Sequence, residues 1–136
     1  MGILSAFKKE KNVINFDVAG IGYRTDTIKS IMKVSAKYKK PFGDRRVYKY
    51  KFMEGPCELV PEPKNPTDKN AVMVVCGGVH VGYVPADQAA QIKKLIKKYD
   101  ATIKIHGGRY KEFDAEDDEW IVRDGSFSGE VTMVEK

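Results

Sequence analysis

A chain of 136 residues, 42% apolar and 32% charged, is sized for one domain with a core of its own. The formal net charge of +5 favours polyanions only mildly, but it is unevenly placed: residues 1–51 carry thirteen Lys or Arg against four Asp or Glu, and residues 52–136 carry eleven against fifteen. No apolar stretch approaches the roughly 20 residues of a membrane span, and the two cysteines and two histidines lack zinc-finger spacing, which sets aside membrane-spanning and zinc-finger classes.

The expected organisation is an N-terminal arm over residues 1–12 and a single domain over 13–136. The opening run Met1-Gly2-Ile3-Leu4-Ser5-Ala6-Phe7, followed by Lys8-Lys9, is too short and weakly apolar for a secretory signal, so the expected location is cytoplasmic. In that compartment Cys57 and Cys76 read as buried, reduced thiols. The first strand is expected near Val13–Ile21, with Ile14, Phe16 and Val18 on one face and Asn15 and Asp17 on the other. Gly20 and Gly22 free the backbone for a bulge or a sharp bend. Tyr23-Arg24 then pairs a ring with a cation. It could stack on a base and contact a phosphate, or pack on the sheet rim beside a solvated arginine; both readings stay open.

Thr25 to Tyr38 carries helical marks, with Thr25 as N-cap, Asp26 in the first turn and a stripe of Ile28, Ile31, Met32 and Ser35. Lys39-Lys40-Pro41-Phe42-Gly43-Asp44 breaks it. A strand follows over 45–53, in which Tyr48, Tyr50 and Phe52 alternate with Lys49 and Lys51. Either the rings enter the core and the lysines are solvated, or the basic face lies beside a bound polyanion. Cys57–Val60 is a short strand. It leads into the polar loop Pro61-Glu62-Pro63-Lys64-Asn65-Pro66-Thr67-Asp68-Lys69-Asn70, where Asn-Pro suits a stiff type I turn. Ala71–Cys76, apolar on both faces, predicts a central strand. Gly77-Gly78 predicts a primed hairpin turn, and Val79–Val84 returns with Val79, Val81 and Tyr83 on one face.

Beyond Pro85, Ala86–Tyr99 predicts a helix with Ala89, Ile92, Leu95, Ile96 and Tyr99 inward and Lys93, Lys94, Lys97 and Lys98 outward. Ala101–His106 predicts a strand. Arg109-Tyr110-Lys111-Glu112-Phe113 interleaves charge and rings, as a binding groove does or as a twisted solvent-facing strand does. An acidic loop over 114–119, a strand at Trp120–Arg123 and a last strand over Phe127–Val134 complete an α+β reading, mainly β with helices.

Three segments together resemble a HIRAN domain: Val18-Ala19-Gly20-Ile21, Glu62-Pro63-x-Asn65-Pro66-x-Asp68-Lys69-Asn70-Ala71-Val72, and Val81-Gly82-Tyr83-Val84-Pro85. The resemblance spans about 15–106. It is to modules at the front of DNA-repair helicase-like proteins of eukaryotes and to stand-alone or fused units of bacteria and phages; a stand-alone bacterial or phage-type member is expected. It implies a small OB-like β-barrel with one or two helices that binds single-stranded DNA and reads a free 3′ end. It also implies that Asn65 and Asp68 lie near the terminal nucleotide, with Asp68 accepting a hydrogen bond from a 3′-hydroxyl. The position between them, aromatic and base-stacking in those members, is Thr67 here. Tyr23 matches an aromatic after the first strand; the basic residue preceding it there is Gly22 here, with Arg24 one place later. Tyr83 stands where some members have histidine.

No phosphate-binding glycine loop or nucleophile elbow is present, and consecutive acids in a loop make a poor octahedral metal site. The expectation is a non-catalytic nucleic-acid-binding module without cofactor or metal. Its candidate contacts are Tyr23, Arg24, Asn65, Asp68, Lys69, Tyr83, Arg109 and Tyr110. The expected partners are single-stranded DNA or another nucleic acid and a helicase or nuclease in trans, and no membrane. The alternative is a protein–protein interaction module that keeps the barrel without end recognition.

Overall fold

Strand β1 (Val13–Asp17) buries Phe16, and Val18 beyond it, while Asn15 and Asp17 face water, as its alternation dictates. It lies on the edge of a four-stranded antiparallel sheet ordered β1-β10-β7-β3, formed with β10 (Phe127–Glu135), β7 (Tyr99–Gly107) and β3 (Met53–Pro56). Ile103, Ile105, Val131 and Met133 on the inner face of this sheet are fully buried. A computed structural model describes residues 11–43 and 46–136. Residues 1–10 of the expected arm, and Asp44 and Arg45, lie outside the described residues.

Two three-stranded sheets complete the domain. One is β4-β5-β6, from β4 (Glu58–Pro61), β5 (Val72–Cys76) and β6 (Val79–Tyr83); the other is β2-β8-β9, from β2 (Val47–Tyr48), β8 (Tyr110–Asp114) and β9 (Glu119–Arg123). Strand β5 is central, which its two apolar faces require. Its turn to β6 sits at Gly77 and Gly78, both at positive φ (58° and 78°), where only glycine is unstrained.

The sheets stay open, so the expected OB-like barrel is not formed. Proline explains part of this. β3 ends at Pro56 and β4 at Pro61, residues that cannot donate to a continuing ladder. One isolated bridge, Ala19–Tyr83, ties β6 to the segment just past β1; a second, Val34–Tyr50, pairs two segments outside the sheets.

Among the described residues three α-helices form, not one or two: α1 (Thr25–Lys29), α2 (Ala36–Lys39) and α3 (Ala86–Lys93). The expected helix over Thr25–Tyr38 is split because residues 33–35 pair across to 49–51. Ser35 N donates to Lys49 O at 2.7 Å and Lys51 N to Lys33 O at 2.7 Å. Thr25 is the first residue of α1, not its cap; its hydroxyl donates back to Gly22 O at 3.2 Å. The strand expected over 45–53 is broken at the same place, and only Tyr50 of its three rings packs inward, against Phe127 at 5.7 Å. The helix expected to reach Tyr99 stops at Lys93; a short 3₁₀ turn at Ile96–Lys98 follows, and Tyr99 already pairs in β7. Strand β6 departs from strict alternation. Val74 opposes Gly82 and Val75 opposes His80, so Val81 is an extra residue, and Val81 and Gly82 are both buried.

Candidate functional site

The loop between β4 and β5 is held by one asparagine and two carboxylates. Asn65 Oδ1 accepts from the amides of Thr67 (2.9 Å) and Asp68 (3.0 Å), and its Nδ2 donates to Glu62 Oε1 at 2.6 Å. The same Glu62 oxygen accepts the Tyr83 hydroxyl at 3.0 Å. Asp68 Oδ1 caps the amide of Asn70 at 2.9 Å. Glu62 N donates to Ala71 O (2.8 Å), which closes the loop at its base. This is the stiff Asx turn that the Asn-Pro sequence calls for.

The opposite wall is set by a close approach of backbones. Ala19 N donates to Tyr83 O (2.8 Å) and Tyr83 N to Ala19 O (2.9 Å). Gly82 makes this possible, since a Cβ there would lie 2.4 Å from Val18 Cγ1 and 2.6 Å from Ala19 O. After Ala19 the chain turns at Gly20, φ 72°, into a 3₁₀ turn over Ile21–Arg24. That turn carries the Arg24 guanidinium over the Tyr83 ring, 5.7 Å from its centroid, and leaves Tyr23 95% exposed.

Between loop and bridge lies an open cleft of about 300 Å³. Ala19, Ala71, Val84 and Ala86 give it apolar walls, and Asn65, Thr67, Asp68 and Tyr83 its polar edge. Asn65 spends its oxygen and one of its two amide hydrogens on the loop's own bonds, which shape the cleft edge. Asp68 keeps its second oxygen, Oδ2, without a partner among the described residues. The electrostatics are local and balanced. Hydrogen bonds from Asn65 and Tyr83, with Arg24 nearby, hold the Glu62 carboxyl below the usual range. Burial, then the bond to Glu62, pushes the Tyr83 phenol up. Burial and the Arg24 charge push the His80 imidazole down. His80 Nε2, 2.8 Å from the Gly82 carbonyl, donates to it and sits edge-on to the Tyr83 ring at 4.8 Å.

Of the candidates named from sequence, Asn65, Asp68 and Tyr83 line this cleft, Arg24 covers Tyr83, and Tyr23 stands exposed on the adjoining turn. Lys69 is exposed on the same loop but is not part of the lining. Arg109 and Tyr110 are not brought to the cleft. Arg109 precedes β8 in another sheet and pairs with Asp124 at 2.7 Å. Tyr110 packs on Tyr48 at 5.4 Å, beneath Arg46. Sequence reasoning missed Glu62, the acceptor shared by Asn65 and Tyr83; the Glu-x-x-Asn spacing was the available signal.

Other chemistry is sparse among the described residues. No group of three or more His, Cys, Asp or Glu is placed to hold a metal ion, and no helix is long and apolar enough to cross a membrane. Both cysteines are free thiols; burial, with Cys76 beside it, pushes Cys57 up to about 12, which keeps it protonated and unreactive.

Comparison with known proteins gives a family. The model of the HIRAN domain matches residues 11–112. The crystal structure of the HIRAN domain of human HLTF aligns over 96% of this chain and 84% of that one, at 15% identity and a TM-score of 0.41. No curated protein matches the chain.

Proposed function

The chain belongs to the HIRAN domain family, a family of nucleic-acid-binding modules, and from that premise and the cleft we propose that it is a non-catalytic module binding single-stranded DNA by its 3′ end. The observation that carries this reading is the half-satisfied carboxylate of Asp68 beside apolar walls. An apolar wall suits a sugar or base face, and the unpartnered Oδ2 suits a hydroxyl donor at the strand end. A terminal phosphate would meet the Asp68 charge at close range.

In this reading Tyr23 supplies the stacking surface and Arg24 the nearest cation, with Lys69 drawing in the backbone. Asn65, Glu62 and Tyr83 are positioning residues. Thr67 lines the cleft without a ring, so base stacking from the loop itself is missing. Fluorescence anisotropy at low salt with single-stranded and duplex DNA tests the reading. Preferential binding of the single strand is expected; undetectable binding of both contradicts it and favours the protein-interaction alternative.

A further inference from the structure

Lys51 lies where two shallow grooves meet. One, about 340 Å³, runs along Ser35, Lys37, Phe42, Tyr48 and Tyr50; the other, about 210 Å³, along Ile31, Lys33, Phe52, Met53 and a single acid, Glu54. Their cations are available. Lys33, Lys37 and Lys51 have no carboxylate partner among the described residues, whereas Arg46 is held by Glu112 at 3.3 Å. From Lys33 to Lys51 the sequence holds eight Lys or Arg and a single acid, Asp44.

Lysines alone would be a solvated face. The rings make this surface different. Of the seven exposed large hydrophobic residues among the described ones, three fall on this segment, Val34, Phe42 and Tyr48, and a fourth, Phe52, directly follows it. Phe42 is 95% exposed. Phe52 stacks at 6.1 Å and 12° on the exposed imidazole of His106, which makes a two-ring platform. Exposed rings between unpaired lysines match a ligand that is both anionic and flat-faced, which a single strand is at every nucleotide and an acidic peptide is not.

We propose that this double groove is a second nucleic-acid site, which holds the body of the strand: phosphates on Lys33, Lys37 and Lys51, bases on Phe42 and Phe52. It rests on the reading that the ligand is single-stranded nucleic acid, and it is independent of how the end is held. Labelled oligothymidines of roughly 4 and roughly 16 nucleotides separate the two sites by anisotropy over a salt series. The longer strand should bind the unmodified protein more tightly. Lys37→Gln with Lys51→Gln should lower the salt slope for the longer strand by about 1.4, two phosphates' worth of counterions, and leave the short strand unchanged. Phe42→Ala with Phe52→Ala should weaken the longer strand about tenfold or more. All four side chains are exposed, and thermal melts check that the variants fold. Equal binding of both lengths, or groove variants that bind the longer strand as the unmodified protein does, overturns the second site. If groove variants weaken binding while Asp68→Asn does not, the groove stands and the end cleft falls. If neither strand binds, both fall.

Discussion

Tyr83 and Glu62, 21 positions apart, are joined by a hydrogen bond of 3.0 Å from the phenolic hydroxyl to Oε1. That bond ties strand β6 to the polar loop, and the bond from Asn65 to the same oxygen ties the loop to itself. Arg24 adds the balancing cation over the Tyr83 ring. The cleft therefore has a polar buttress behind each of its two walls, and the first predictions concern that buttress.

Stability should fall with acidification in two stages. Both His80 and Glu62 have folded pKa values below their ordinary ones. Each therefore contributes stability that is complete above its unfolded pKa and is lost as pH falls through the folded one. For His80 the loss begins near pH 6.5, and for Glu62 near pH 4.3. Urea unfolding from about pH 7.5 to about pH 3.5 should show Glu62→Gln flattening the lower stage and deepening the upper one, because the Glu62 charge partly offsets the downward shift of His80. Glu112 and Asp124, also held low by their arginines, remain in both arms of that comparison.

Asn65→Ala should destabilise the domain by about 1–2 kcal/mol, because it removes the acceptor of the exposed Thr67 amide and the part-buried Asp68 amide together. Asn65→Asp, which keeps an acceptor for both amides but puts a carboxylate against Glu62, should fall between. Chemical denaturation measures both.

Gly82→Ala should cost about 1–3 kcal/mol and loosen the cleft, since its Cβ has no space between Val18 and Ala19 O. Hydrogen exchange should show the Ala19 and Tyr83 amides, which form the bridge, losing protection first. Unchanged protection there would mean that the bridge is not what seats Tyr83.

The parts legible in the sequence are those whose chemistry is local. Gly77-Gly78 needs no partner to turn, Asn65-Pro66 caps its own loop, and the apolar run of β5 declares a central strand. What depends on distant partners was not legible. The helix expected from Thr25 onward stops at Lys29, and residues 33–35 find backbone partners at 49–51 instead. Arg109 and Tyr110 have the interleaving of a binding surface, but Asp124 and Tyr48 engage them internally. Glu62 was passed over because its second partner, Tyr83, is set by a β6 register that a bulge shifts by one residue. The open sheets follow from prolines at strand ends, Pro56 and Pro61, whose effect on closure shows only once the pairing is known.

Thr67→Tyr should raise affinity for single-stranded DNA by at least about fivefold, the lower end of what stacking one base on a ring contributes. Thr67 is exposed and bonds through its backbone amide only, so the turn accepts the larger side chain. Anisotropy against a single strand compares the two proteins; an unchanged affinity would place the base elsewhere.

The most direct test compares two oligonucleotides of one sequence, one ending in a 3′-hydroxyl and one in a 3′-phosphate, against the protein and its Asp68→Asn variant. The account predicts tighter binding of the hydroxyl end by the unmodified protein, and a reduced difference between the ends once the Asp68 charge is gone. Equal affinity of the unmodified protein for both ends, or a preference that survives Asp68→Asn intact, would contradict it.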